Sequence, residues 1–420
     1  MNTRHSALKF LLLDLISPQP KVAPRSISAL DEEDWATLLD MAQQHRLCPL
    51  LHWQITRAHA NLPIPQKVLH LLGQSFKHAT LRALVVQREL LLVHRILDQA
   101  GIPYVALKGA YLAFHAYPQP GLRPLRDIDI LVPESRVLEA NQTLLDSGLS
   151  RNERYPGIPE VLLKTARHLP PLRSPSGQVS IELHAHLFNP NNLKNQQTDL
   201  CAPPQFWERS IRKTVAKQAI AYESPTDLLL HLIVHAVIDH QFNNGPLLLS
   251  DLAFLLDHES IDWPLFWTLA KQGGHTRCCI LALKLTERYW GTKSPIWPDE
   301  QEPDDPEFPQ MIDIAAQLML QGMATRQDLS LANEIAKHSS AISKVVWLLR
   351  KAFPPQTVIA SIYPVLPNSP WVYFWYPLRW WRLAVKRWPE YLRSKQNAYF
   401  PHEAQQLADL KRWLTPAESP

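Results

Sequence analysis

Residues 126–132 read RDIDILV, and charged and apolar residues alternate there with period two. Such alternation marks a half-buried strand. Side chains two apart on a strand share a face, so Asp127 and Asp129 are expected side by side. Carboxylates so placed repel each other unless a cation lies between them. Ile128, Ile130, Leu131 and Val132 supply the apolar anchor for the strand. The pair suits Mg²⁺ (or Mn²⁺), which takes one or two carboxylates and completes its shell with substrate phosphates. Taken alone, the same triplet also reads as an exposed strand face.

The surroundings narrow the choice. LKGAYLAF places Gly109 between a short apolar, partly β-branched run and a helical one. There a backbone can approach a phosphate closely, and a helix start offers unpaired N–H groups. Lys108, Arg123 and Arg126 flank these segments and are the expected phosphate contacts. Glu182, in VSIELHAHL, stands between Ile181 and Leu183, where an acid is costly to bury unless it is paired or holds metal. Glu134, Asp146 and Glu160 compete for the role of third carboxylate. Glu134 begins a helix, Asp146 lies near that helix's end, and Glu160 has no strand pattern around it. Glu182 is therefore expected within about 6 Å of Asp127 or Asp129. His184 shares its strand face and is expected either to touch substrate or to pack.

These residues resemble a known superfamily. A glycine after a strand, then a helix, an acid-x-acid strand and a third acid on a later strand is the pattern of DNA polymerase beta-like nucleotidyltransferases. LKGAYLAF, PLRDIDILV and IELHAHLF, followed by FWERS, SPTDLLLHLIVHA and SDLAFLLDHESIDW, look more narrowly like the bacterial uncharacterised nucleotidyltransferase family. The resemblance covers roughly residues 80–290. It implies transfer of a nucleoside monophosphate from an NTP to an acceptor, with release of pyrophosphate. Asp127, Asp129 and Glu182 would then be both catalytic and metal-binding. The acceptor stays open among small molecule, peptide, protein and RNA. A catalytically weak accessory protein that binds nucleotide or peptide is the alternative. The sequence departs from the superfamily in having Ala110 after Gly109, which removes a possible hydroxyl contact to the triphosphate.

The implied fold is α+β, a small mixed-sheet core between helical flanks. Residues 1–100 read as helices, and HATLRALVVQRELLLVHRILDQAG shows an apolar stripe through Leu81, Leu84, Val85, Leu91, Leu92 and Leu97. Residues 101–190 form the α/β core, in the order β-α-β-α-β-β, with a hairpin turn at SPSGQ. Residues 191–300 read as a helical region packed on that core, opening on a polar loop at 189–200. Residues 301–420 read as a C-terminal helical region, reached through an acidic, proline-rich linker at 298–309.

Four other features are weighed on chemistry. His231, His235 and Asp239 recur on one helix face beside His240. The metalloprotease motif is absent, so these read as packing histidines or as a border of the acceptor pocket. WVYFWYPLRWWRLAVKRW (371–388) mixes aromatics with Arg379, Arg382, Lys386 and Arg387, as a packed terminal helix, a base-stacking surface or a membrane-surface segment would. Cys48, Cys201, Cys278 and Cys279 lack CxxC spacing and fit a reduced, cytoplasmic protein. The N-terminal apolar run is broken by Lys9 and Asp14, and no uncharged apolar stretch approaches ~20 residues, so neither a signal peptide nor stable membrane insertion is expected.

Overall fold

In a computed structural model, the chain is described at residues 3–19, 21–163, 166–188, 203–292, 306–321, 341–383, 385 and 400–414. The polar loop at 189–200 and most of the linker at 298–309 fall outside these residues, as do Cys201, Lys386 and Arg387.

The fold opens on helices α1 (Thr3–Ile16), α2 (Glu32–Gln44), α3 (Cys48–Arg57) and α4 (Gln66–Gln99), with a short helix at Pro24–Ser28 between the first two. Asp31 caps α2 in a reciprocal box with Asp34, which satisfies two backbone donors at the helix start. Helix α4 buries Ala83, Val86, Leu90, Val93 and Leu97, a set spaced three and four apart. Leu81 and Leu84 of the expected stripe instead point to solvent. This helix is apolar around most of its circumference, and only one of its possible stripes meets the sheet.

A seven-stranded mixed sheet follows, ordered β3-β4-β5-β2-β1-β7-β6. Its strands are β1 (Val105–Ala106), β2 (Asp127–Leu131), β3 (Ser150–Arg151), β4 (Leu172–Arg173), β5 (Ser180–His184), β6 (Ile211–Val215) and β7 (Gln218–Tyr222). Strands β4 and β5 form the hairpin expected around SPSGQ. Strand β5 runs parallel beside β2, with Asp129 opposite Glu182 and Leu131 opposite His184. Two-residue β3 adds an edge that period-two reading does not reveal. The β6–β7 hairpin, which lies in the stretch expected to be helical, extends the sheet beyond β1.

One sheet face, carrying Ile128, Ile130, Ile181 and Leu183, joins the main apolar core under α4 and α5 (Val137–Asp146). The other face carries the acids. Beyond the acids, Leu131 joins Val105, Leu107, Leu187 and Phe206 in a small separate cluster. Helices α6 (Pro225–Val234), α7 (Leu247–His258), α8 (Trp263–Gln272) and α9 (Thr276–Trp290) complete the body. Ser224 caps α6 and Pro225 follows at its first position, as the sequence suggests. Cys278 and Cys279 on α9, with Cys48 on α3, are free and buried.

Helices α10 (Phe308–Met319) and α13 (Phe400–Leu414) pack on each other and on this core; between them lie α11 (Ala341–Ala352) and α12 (Gln356–Ile362). Around α12 a third, separate cluster gathers Ile359, Tyr363, Val365, Val372 and Tyr376. Among the described residues no helix is long and apolar enough to cross a membrane.

Candidate active site

The cleft on the acid face encloses about 370 Å³ and is lined by residues of β2, β5, the β1–helix junction, α7 and the turn after α6. The β2–β5 register puts Asp127, Asp129 and Glu182 on one side of the sheet. Ligand atoms of Asp129, Glu182 and His184 lie within 4.8 Å of one another, so Glu182 stands beside an aspartate as expected. His184 Nε2 is 3.2 Å from Asp129 Oδ1 and 3.8 Å from Glu182 Oε2.

Burial and mutual repulsion divide the protons among these acids. Burial pushes the Asp129 carboxyl up, but the Lys108 ammonium and the His184 hydrogen bond together pull it well below the usual range. Burial raises Glu182 to about 8, helped by the charges of Asp129 and Asp127. Asp127 is raised by burial and then by Asp129. Burial lowers His184 to about 3, so its imidazole is neutral. A divalent cation would relieve this repulsion, and the carboxylates of Asp127, Asp129 and Glu182 form a donor set suited to one. Glu134, Asp146 and Glu160 do not line the cleft.

Lys108 joins the acids to the core. Its Nζ donates to Asp129 Oδ2 at 2.8 Å. Its backbone adopts φ 43° and ψ −105°, a conformation that costs a non-glycine residue on the order of 1–3 kcal/mol. The Lys108 N–H donates to Glu223 Oε2 at 2.9 Å. Glu223 is fully buried, and its other oxygen lies 2.6 Å from His231 Nδ1. Thus a buried Glu–His pair at the start of α6 holds the strained turn that aims Lys108 at Asp129. His231 is a packing histidine with a defined partner, in accord with its sequence reading.

Arginines line the same cleft. Arg123 forms a two-pronged contact with Asp251 on α7, at 3.2 and 2.9 Å, and Asp251 also accepts from Tyr117. A Cβ on Gly109 would meet Arg123 Nη1 at 2.9 Å and Leu125 Cδ2 at 2.8 Å, so the glycine is needed for close approach. Gly121 serves similarly, because a Cβ there would press on the Thr80 backbone of α4 at 2.9 Å. Arg46, just past the end of α2 with φ 61°, lines the cleft with Arg126. Burial lowers the Arg46 guanidinium to about 10, aided by the charges of Arg123 and Arg126. Among the described residues, neither Arg46 nor Arg126 has a carboxylate within salt-bridge distance.

Arg167 lines the cleft as well. Its Nη1 donates to Asp239 Oδ2 at 2.9 Å and lies 3.1 Å from His235 Nδ1. Burial, followed by nearby cations, keeps His235 well below the usual imidazole range, and burial lowers His240 to about 4. Both histidines line the cleft, as the pocket-border reading expects. His168 Nδ1 donates to the Leu169 carbonyl at 2.8 Å. Its Nε2 therefore keeps a lone pair, 3.6 Å from Glu182 Oε2.

All the residues singled out from sequence, Lys108, Gly109, Arg123, Arg126, Asp127, Asp129 and Glu182, line this cleft, and His184 sits directly behind its acids. The sequence alone does not mark Arg46, Arg167, His168, Glu223 and Asp251 as parts of this site. Glu223 lies 115 positions from Lys108, and Asp251 lies 128 from Arg123, and no local periodicity links them. No curated protein and no solved structure shows a match to this chain. A family model described as uncharacterised nucleotidyltransferase matches residues 31–291, which include every cleft residue named above. That match spans more than half of the chain, and the protein belongs to the uncharacterised nucleotidyltransferase family.

Proposed function

We propose that the cleft binds a nucleoside triphosphate with Mg²⁺ or Mn²⁺ and moves its nucleoside monophosphate to an acceptor hydroxyl, releasing pyrophosphate. The observation that carries this reading is the meeting of acids and arginines in one cleft, which Asp127, Asp129 and Glu182 line together with Arg46, Arg123 and Arg126. The guanidiniums of Arg46 and Arg126, which lack a carboxylate partner among the described residues, are matched by phosphate oxygens, and a divalent ion matches the acids.

Asp127, Asp129 and Glu182 would hold the ion, with His184 beside them. When bound, the ion supplies Lewis-acid charge at the phosphate and lowers the pKa of the acceptor hydroxyl. Arg46 and Arg126 bind the triphosphate, and Arg123, fixed by Asp251, presents Nη1 at Gly109. The acceptor oxygen forms a bond to the α-phosphorus while the bond to the bridging oxygen of pyrophosphate breaks. The acceptor proton passes to the Glu182 carboxylate or to His168 Nε2. Lys108 holds Asp129 in its ionised form throughout.

The test is incubation with each α-labelled NTP, Mg²⁺ or Mn²⁺ and cell extract, following which molecule gains label. Label transferred from one NTP and abolished by EDTA is the expected result. If no label moves, while NTP raises the melting temperature equally in EDTA, the protein binds nucleotide without metal chemistry and the reading fails.

A further inference from the structure

Twelve of the seventeen exposed large hydrophobic side chains among the described residues fall between Val346 and Val385. Monomeric proteins rarely expose apolar groups so densely without a partner. The frame beneath them is ordered by packing. Val372 and Tyr376 turn inward onto Ile359, Tyr363 and Val365. Tyr376 Oη donates to the Pro354 carbonyl, and Trp380 Nε1 to the Ala352 carbonyl, both at 2.7 Å. The opposite side carries Phe374, Trp381 and Val385 at helical intervals, and Trp371 lies against Phe374 with ring centroids 5.4 Å apart. Phe374, Trp371 and Trp381 are 73%, 65% and 63% exposed.

Charge selects the partner. From Ala341 to Val385 the chain holds five Lys and Arg residues and no Asp or Glu. Arg379 and Arg382 belong to the same helix as the exposed Trp380 and Trp381, and Arg350 and Lys351 to the same helix as the exposed Val346 and Leu349. We propose that this face docks on the surface of an anionic lipid bilayer, with the aromatic side chains seated at headgroup level and the basic residues against lipid phosphates. Two other occupants fit less well. A second copy would bring one basic face against another. Single-stranded nucleic acid uses aromatic platforms, but Val346, Leu349, Val358, Ile362, Leu366 and Val385 are exposed here too, and aliphatic groups do not stack bases. The contact is interfacial, since among the described residues no helix can cross a bilayer.

The experiment is co-sedimentation of the full chain with vesicles of phosphatidylcholine alone or mixed with phosphatidylglycerol. Binding to the mixed vesicles that weakens with added salt is expected. The triple variant Trp371→Ser, Phe374→Ser, Trp381→Ser should partition about tenfold more weakly or worse, at an unchanged melting temperature. Because variants can misfold, the unaltered protein is also examined for tryptophan quenching by brominated lipid, which is expected with mixed vesicles. Absence of both sedimentation and quenching overturns the proposal. So does unchanged vesicle binding by the triple variant. Retention on poly(U) RNA without vesicle binding, or a dimer that Phe374→Ser dissolves, overturns it in favour of those partners.

Discussion

The acid cleft and the segment from Ala341 to Val385 break the usual rule of burial in opposite directions. In the cleft, Lys108, Asp129, Glu182 and Arg123 are largely withdrawn from water. In the C-terminal segment, tryptophan and phenylalanine are left in water. A buried charge or an exposed apolar patch is the informative departure, because apolar surface in general is common. Both departures cost stability; the Lys108–Asp129 and Arg123–Asp251 pairs offset part of the first, and on the readings proposed above a bound partner offsets the rest of each. On the proposed reading the cleft takes a compact set of ligands of both charges, a cation and a polyanion. The C-terminal face asks for an extended surface with no fixed shape. Hence the two regions should respond to different perturbations, and this separation can be broken by experiment.

The largest effect should come from Asp127→Asn. Metal assistance is worth several kcal/mol of transition-state stabilisation, so transfer should fall by about three powers of ten or more. The melting temperature should hold or rise, since one of two repelling carboxylates loses its charge. The triple aromatic variant should transfer label to a soluble acceptor at the normal rate. An active Asp127→Asn enzyme would remove the metal role, and a slow aromatic variant would show that the regions are coupled.

Arg46→Gln should act more mildly and sharpen the comparison. Three guanidiniums crowd one cleft, and Arg46 is the one depressed to about 10 by burial and its neighbours. Its removal should raise KM for NTP by about tenfold, near 1.4 kcal/mol of lost binding. The nucleotide-free protein should melt at the same temperature or higher, because repulsion is relieved. A lower melting temperature with unchanged KM would make Arg46 structural.

How far the sequence discloses these regions depends on how local the signal is. Asp127, Asp129 and Glu182 were legible because period-two alternation fixes a face and an acid between two apolar residues demands a partner. The parallel β2–β5 register that joins them is tertiary, and a shift of one residue would have turned Glu182 away. The β6–β7 hairpin lacks a sequence signal for a chemical reason. Its turn places Ala216 and Lys217 at φ 45° and 71°, where Asn-Gly or Asp-Gly is the usual signal. From sequence Lys108 reads as a phosphate contact, yet its Nζ lies on Asp129. The cause is a backbone strain held by Glu223, which no nearby residue announces. The aromatic C-terminal segment was legible in composition, but which of its side chains face outward is decided by a small cluster around Tyr363.

The smallest effect is a slope in pH, and it tests whether the buried acids are a cation site at all. In the folded protein Glu182 is raised from 4.5 to about 8, first by burial and then by Asp129 and Asp127. Between those values the folded chain keeps a proton that the unfolded chain has lost. Its contribution to stability is therefore fully present below pH 4.5 and falls as pH rises towards about 8. A divalent ion needs the carboxylate deprotonated, so binding expels that proton and strengthens with pH, by at most about tenfold per unit. With saturating Mg²⁺ the decline in melting temperature over this window should shrink. In Glu182→Gln, which has no proton to lose, the Glu182 share of the decline should vanish with or without Mg²⁺. Melting curves across the window measure all three slopes. Equal slopes for the wild type with and without Mg²⁺ would mean that the ion does not meet Glu182, and the acids would then be a proton-sharing cluster held together by Lys108 and His184.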